Sequence, residues 1–388
     1  MVRNDTNKKL GGLSFELEWY CEKKEEKGVN LVTCYKKETG LGEACRLTAK
    51  ALKTGGINYS LKNSDEWRNE LSWVYRDADE STYNVNIFHV NPDHFEGVYN
   101  WLGRSFWDKR YSIGYWYWEL PDFPDEWTKA FEYVDEVWAA SEFTLNSIKV
   151  KSPVPVKLIP PCIKVDSISR ICRKDFNLPE NRFLFLTMYD SWSFKDRKNP
   201  QGTIEAFKDA FSPKDTSVGL VIKINNSDSK PDEINKLTES AKGYNNIYFI
   251  KKKLERSDVN ALINMCDCFV SLHRSEGFGL VLAEAMYLGI PVIGTNWSGN
   301  KDFMNYDNSC PVDYELVKLG KDIGPYKAYQ IWAEADRDQC AYYMKELISN
   351  KDYYDKIAQN GKKTIRRLYS PQRIGKMIRE RLESLRLL

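Results

Sequence analysis

A short apolar run, Cys268 to Leu272, is followed by two closely spaced glycines, Gly277 and Gly279, and then by Leu280 to Leu288 at helical spacing. An apolar run this short, ending in a glycine turn and a helix, reads as one buried strand of an α/β sheet with its crossover helix. Glycine permits the tight turn, which places the unpaired N–H groups of the helix start beyond the strand's carboxyl end. Those amides, helped by the helix dipole, favour an anion such as a diphosphate. Two carboxylates flank that position. Glu284 lies about 7–8 Å along the helix at 1.5 Å per residue, where it can accept two hydroxyls of a ribose, and Glu276, before the turn, reaches a sugar beyond the phosphates. Glutamates at such a spacing carry nothing alone in a chain that is 29% charged. The strand, turn and helix around them make the pattern specific.

The same unit recurs. Val29 to Tyr35, Val85 to Val90, Ile113 to Trp118, Glu136 to Ala139 and Val156 to Ile159 are strand candidates alternating with helical patches, the first of which runs from Gly40-Leu41-Gly42 through Leu52. Pro160-Pro161-Cys162 closes this series, because proline fixes φ and removes a donor. After a connector at 164–182 a second series begins, with strands Phe183 to Tyr189, Val218 to Ile224, Ile247 to Ile250, Cys268 to Leu272 and Val292 to Gly294, and helices at 200–211, 231–241, 257–265 and 280–288. Two such series in 388 residues, 42% of them hydrophobic, predict an α/β chain of two Rossmann-like domains. Ligands of open parallel sheets bind beyond the carboxyl ends of the strands, so the cleft between the halves is the expected site. From Tyr329 onward helix is expected, and Ile374, Met377, Ile378, Leu382 and Leu385 form an apolar stripe suited to core packing. Residues 1–28 are polar and irregular, with a helix-compatible patch from Phe15 to Glu26.

Charge and cysteine usage narrow the partners. Lys and Arg number 57 against 55 Asp and Glu, and this near-balance gives no case for a nucleic-acid partner. The nine cysteines are odd in number, scattered, and lack paired zinc spacing, so a reducing cytoplasm is the expected compartment. With no run of 18 apolar residues and no signal-peptide stretch, the chain is expected neither to span a membrane nor to be exported. Peripheral contact with the inner face of a membrane stays open, as does the oligomeric state.

Glu276-Gly277-Phe278-Gly279, then Glu284-Ala285-Met286, then Gly289-Ile290-Pro291-Val292-Ile293-Gly294 and Gly299 resemble the donor-site signature of glycosyltransferase family 4, the retaining GT-B enzymes. Trp118 to Phe143 is also similar to a subset of that family, which extends the resemblance over about residues 29 to 386. It implies a GT-B fold of two facing domains: an acceptor-side domain over 1–163, a nucleotide-sugar domain over 164–370, and a last helix within 371–388 that crosses back to the first. It implies transfer of a sugar from a nucleotide-diphosphate donor to a hydroxyl of a glycan, lipid-linked or protein acceptor, with retention, and with neither metal nor other cofactor.

Roles follow residue by residue. Glu276 would orient the donor sugar and Glu284 the ribose. Gly40-Leu41-Gly42 resembles the glycine loop beneath the diphosphate, with Glu43 and Arg46 one turn further on. Lys195, Arg197 and Lys198 follow a strand at the mouth of the cleft, and Lys198 is the first choice for holding charge on the leaving diphosphate, where stabilisation grows in the transition state. The Gly40 and Gly42 loop and the amides of Gly279 and Leu280 would share that charge, Gly277 and Phe278 belong to the same donor-binding turn, and His273 and Arg274 are candidates for contact with sugar or phosphate.

The chain departs from the family in two places. Members carry an arginine about one and a half turns before the matching lysine, whereas here Trp192 has that spacing and Arg197 is adjacent to Lys198. Where members place a histidine near the anomeric carbon, this chain has Tyr115-Trp116-Tyr117-Trp118-Glu119-Leu120-Pro121. Glu119 is therefore a candidate for contact with acceptor or donor, or a simple helix cap. Lys223 reads equally as a phosphate contact and as a solvated strand end, and Lys251, Lys252 and Lys253 as solvated. His89 and His94 lie near a strand end, and most of the twelve tryptophans read as core. Asp77-Ala78-Asp79 falls outside the motif set. A catalytically silent GT-B partner subunit and a nucleotide-sugar epimerase or hydrolase are the rival readings; no dedicated acid–base pair for the latter is identifiable.

Overall fold

The computed structural model describes residues 26–36, 38–63 and 83–388. The patch before Glu26 and Asp77-Ala78-Asp79 lie outside the described residues. In the first half, β1 (Glu26–Thr33), β2 (Tyr59–Asn63), β3 (Tyr83–His89), β4 (Tyr111–Trp116), β5 (Glu136–Ala139) and β6 (Val156–Leu158) form one parallel sheet in the order β2-β1-β3-β4-β5-β6. In the second, β7 (Phe183–Asp190), β8 (Val218–Asn225), β9 (Ile247–Ile250), β10 (Cys268–Ser271), β11 (Val292–Thr295) and β12 (Cys310–Val312) form another in the order β12-β11-β10-β7-β8-β9. The helices are α1 (Gly40–Thr54), α2 (Phe95–Leu102), α3 (Glu142–Lys149), α4 (Lys195–Lys198), α5 (Pro200–Ala210), α6 (Pro231–Ser240), α7 (Arg256–Met265), α8 (Leu280–Leu288), α9 (Arg337–Ser349), α10 (Lys351–Leu368) and α11 (Pro371–Ser384).

Burial on both faces explains why the central strands read as continuous apolar runs: Val218 to Ile224 of β8 is buried throughout. Strands at the sheet edges depart from that pattern in burial or in length. β2 is a half-exposed edge strand, and β12 is an edge strand of three residues that contains Pro311. The expectation of helix from Tyr329 onward is wrong at its start. Ile331–Ala335 is β14, paired antiparallel with β13 (Tyr314–Lys318). Helix begins at α9, where the Asp336 carboxylate caps Gln339 N at 3.0 Å.

Most of the apolar stripe packs as expected, whereas Leu385 follows the end of α11 and falls outside the core cluster. Ile374, Ile378 and Leu382 are buried with Leu47, Ala51 and Leu52 of α1 in one core cluster, each such side chain contributing about 1.5–3 kcal/mol. Arg379 donates to Gly55 O at 2.6 Å and Gly56 O at 2.5 Å, and Arg381 grips the fully buried Glu136. The last helix thus belongs to the first half, although the chain reaches it from the second. The two helices touch backbone to backbone, since a Cβ on Gly375 would lie 2.3 Å from Ala51 O. Gly375→Ala is therefore expected to lower stability by about 1–3 kcal/mol in denaturant unfolding, the usual range for overpacking.

Candidate active site

Residues that follow β1, β3 and β4 of the first sheet and β7 and β10 of the second line one cavity of about 290 Å³. The carboxyl ends of the two sheets therefore face each other across it, as an open α/β site requires. The wall from the second half is the predicted turn. Gly279 adopts φ +93, which only glycine takes without strain, and α8 starts at the next residue. The turn is also docked on the first half: Gly277 O accepts from Ser141 Oγ at 2.6 Å and from Thr144 Oγ1 at 3.1 Å. Gly299 approaches so closely that an added Cβ would lie 2.3 Å from Gly277 O.

Glu276 lies in this wall, 8% exposed. Its carboxylate bonds Lys198 Nζ and lies 3.4 Å from Arg197 Nη1, which also donates to Ser275 O at 2.8 Å. Burial alone would raise the Glu276 carboxyl, yet Lys198, Arg197 and His273 hold it down at about 2. For Lys198, burial and the neighbouring Arg197 outweigh the pull of Glu276 and leave the ammonium below its ordinary pKa. Burial opposes the Arg197 charge as well, but Tyr326, Glu119 and Glu276 keep it above its ordinary range. Glu119, across the cleft, stands 3.8 Å from Arg197 Nη2 and accepts from Tyr326 Oη at 3.0 Å.

Glu284 lines an adjoining cavity of about 140 Å³ that shares Thr39, Gly40, Asp190, Lys198, Leu280 and Val281 with the first. It is 2% exposed, and burial raises its carboxyl against the pull of Arg256, whose guanidinium pairs with Oε1. Arg256 also lies 3.7 Å from Glu43 of α1, so this pair bridges the halves. Glu284 Oε2 is buried with no hydrogen-bond partner among the described residues. Such an acceptor is costly to leave unserved and fits an incoming hydroxyl.

The other predicted residues divide. Gly40, Leu41, Gly277, Phe278, Gly279 and Leu280 line the first cavity, as do Arg197, Lys198 and Glu119. Gly42 does not, and its N–H donates to the α1 cap at Thr39 Oγ1, 3.2 Å away. His273 is fully buried, bonded to Ser271 Oγ at 3.1 Å and Asn300 Oδ1 at 2.9 Å, and burial lowers the pKa of its ring. Arg274 turns away from the cleft: it pairs with Glu334 at 2.6 Å, stacks on Trp332, and lines a separate cavity of about 530 Å³. Lys223 is 1% exposed, so the solvated reading fails; burial brings it down to about 8 against the pull of Asp190. His89 is buried on Thr48 Oγ1 at 2.8 Å, and burial pushes its ring down to about 3. Trp116, Trp118 and Trp138 are core, whereas Trp192 is 59% exposed at the cavity rim.

Sequence reasoning missed Arg256 and Tyr326, as well as Tyr117 and Asn91, which line the first cavity. Arg256 opens the helix after β9, so its place beyond a strand end was a usable signal. Tyr326 had none, because it lies before the expected helical tail, in the loop of a hairpin whose second strand falls inside that tail.

Comparison with known proteins bears on the fold that carries this site. Residues 171–309 match the family model of glycosyl transferases group 1. No curated protein sequence matches the chain. Among solved structures, HepE of Anabaena, in complex with UDP and glucose, superposes with a TM-score of 0.67 at 14% identity, over 92% of this chain and 100% of that one. Sucrose-phosphate synthase of Thermosynechococcus elongatus gives 0.68 at 13% identity, over 93% and 99%. A glycosyltransferase of Rickettsia africae gives 0.64 at 12%, over 93% and 99%. The chain has the GT-B fold, two Rossmann-like domains with a parallel sheet of six strands each, and its second half carries the group 1 pattern.

Proposed function

We propose that this chain is a retaining glycosyltransferase of family 4, moving a sugar from a nucleotide-diphosphate donor to an acceptor hydroxyl in the synthesis of a surface polysaccharide, glycolipid or glycoprotein. The observation that carries the reading is one interdomain cavity in which Glu276, Lys198 and Arg197 form a buried charged cluster beside a glycine turn that opens a helix. In this reading the diphosphate lies against the first amides of α8, which no intrahelical carbonyl serves, and against the Gly40 turn. Lys198 contacts its oxygens, Glu276 accepts from sugar hydroxyls, and the unserved Glu284 Oε2 takes a ribose hydroxyl. Uridine is the first base to test, because HepE was solved with UDP.

The acceptor oxygen attacks the anomeric carbon on the face from which the diphosphate departs. The bond from that carbon to the diphosphate oxygen breaks, the new glycosidic C–O bond forms, and the acceptor proton passes to the leaving phosphate. Charge grows on the diphosphate as its bond breaks, so Lys198 and the preorganised amides lower the barrier. They carry the charge that a divalent cation would otherwise neutralise, so the reaction proceeds without added metal. Glu119 faces the same cavity from the acceptor side and orients the incoming hydroxyl. No helix among the described residues is long and apolar enough to cross a membrane. The reading places the work in the cytoplasm or at the inner face of the membrane.

Nucleotide release from a panel of uridine, guanosine and adenosine diphosphate sugars tests the proposal. Release that depends on an added acceptor glycan, lipid or protein is expected. Acceptor-independent release would favour a hydrolase, and no turnover of any donor would favour a silent partner subunit.

A further inference from the structure

The β13–β14 hairpin reaches across the cleft. Its connecting loop, residues 319–330, lies on the first-half segment that follows β4. Tyr326, 3% exposed, packs its ring 5.4 Å from Trp118 and 5.4 Å from Phe194 and donates its hydroxyl to Glu119 Oε2 at 3.0 Å. Further along, Tyr329 donates to Asp122 Oδ2 at 2.8 Å, Gln330 Nε2 to Asp122 O at 2.8 Å, and Lys327 pairs with Glu126 at 3.1 Å. The loop also bears on the second half. Gly324 has φ +56, and a Cβ there would lie 2.2 Å from Phe194 Cζ. Phe194, itself at φ 59, is the residue from which α4 departs with Arg197 and Lys198.

One loop therefore touches both the segment that bears Glu119 and the turn that launches the two cations. The contact between Glu119 and Arg197 is 3.8 Å, too long for a hydrogen bond, so it does not fix the orientation of the carboxylate. The Tyr326 hydroxyl is within bonding distance, and a bond to an ionised acceptor is among the stronger ones. We infer that Tyr326 is a positioning residue that holds the Glu119 carboxylate toward the donor cavity, and that the hairpin is a strap fastening the Glu119 segment to the Arg197–Lys198 turn. What Glu119 faces rests on the transferase reading; the strap does not.

Two variants test this. Tyr326→Phe deletes one hydroxyl and keeps the ring in place. It is expected to lower kcat about tenfold or more, on the donor the wild type uses, with the donor KM within about twofold, because misplacing a group at the reacting centre costs rate rather than binding. Gly324→Ala pushes the loop off Phe194 and is expected to speed amide hydrogen exchange of residues 117–126 about tenfold, as a segment losing its tether opens locally. Wild-type kcat in Tyr326→Phe, or a KM that rises in step with the fall in kcat/KM, would overturn the positioning role. Unchanged exchange in Gly324→Ala would overturn the strap. If the wild type turns over no donor, the transferase reading fails by itself, and exchange at 117–126 in both variants decides the strap and its Tyr326 anchor.

Discussion

Lys198→Ala is expected to lower turnover by about 10²–10³-fold, the range for removing one preorganised stabiliser of developing charge. The ammonium lines the cavity together with the Gly279 turn and the segment after β7, and it bonds Glu276. In that setting its charge is poorly screened and acts strongly on a leaving diphosphate. The fold should survive, since Arg197 remains beside Glu276 and donates to Ser275 O. With one cation gone, the Glu276 carboxyl moves up from about 2 toward its ordinary value. Initial rates with a saturating donor, alongside a circular dichroism melt, check both halves of the expectation. Turnover within a factor of three of wild type would remove Lys198 from the mechanism.

Glu276→Gln is expected to abolish measurable transfer and to cost about 3–5 kcal/mol of folding stability, the usual penalty for removing one partner of a buried ionic cluster. Lys198 and Arg197 would then keep only Glu119, 3.8 Å from Arg197 Nη2, as a nearby counter-charge. The wild type carries a matching pH signature. Glu276 has a folded pKa of about 2 against an ordinary 4.5, so its contribution is complete above pH 4.5 and is lost as pH falls toward 2. That window holds about 3 kcal/mol by linkage. Denaturant unfolding at a series of pH values should show the gap between wild type and Glu276→Gln closing across it. A constant gap would mean that Glu276 is not the ionised centre of the cluster.

Much of the scaffold was legible because parallel sheets buried on both faces write themselves as continuous apolar runs. Glu136–Ala139, Ile247–Ile250 and the helix Leu280–Leu288 match expectation residue for residue. The strands that stayed hidden are the half-exposed edge strand Tyr59–Asn63, the buried edge strand Cys310–Val312, whose three residues include a proline, and the Tyr314–Ala335 hairpin, whose faces are mostly half-exposed or exposed. At the site, strand-end position was a sound guide to which backbone lines the cavity but a poor guide to where side chains point. Arg274 and Glu276 are two residues apart and face different cavities. Gly42 offers an amide by spacing, yet a local threonine uses it first. Tyr326 reaches Glu119 only through a tertiary contact, which no local pattern encodes, and Arg256, though marked by its strand-end position, finds Glu284 in the same way.

Calorimetric titration of the whole chain with uridine, guanosine and adenosine diphosphates, each beside its monophosphate, bears most directly on the interdomain cavity as a diphosphate site. One diphosphate should bind at least about tenfold more tightly than its monophosphate, since the second phosphate adds a charge-assisted contact. Lys198→Ala should erase that difference, and Arg274→Ala, outside the cleft, should keep it. Equal affinity for diphosphate and monophosphate, or a preference that Lys198→Ala leaves intact, would contradict the account.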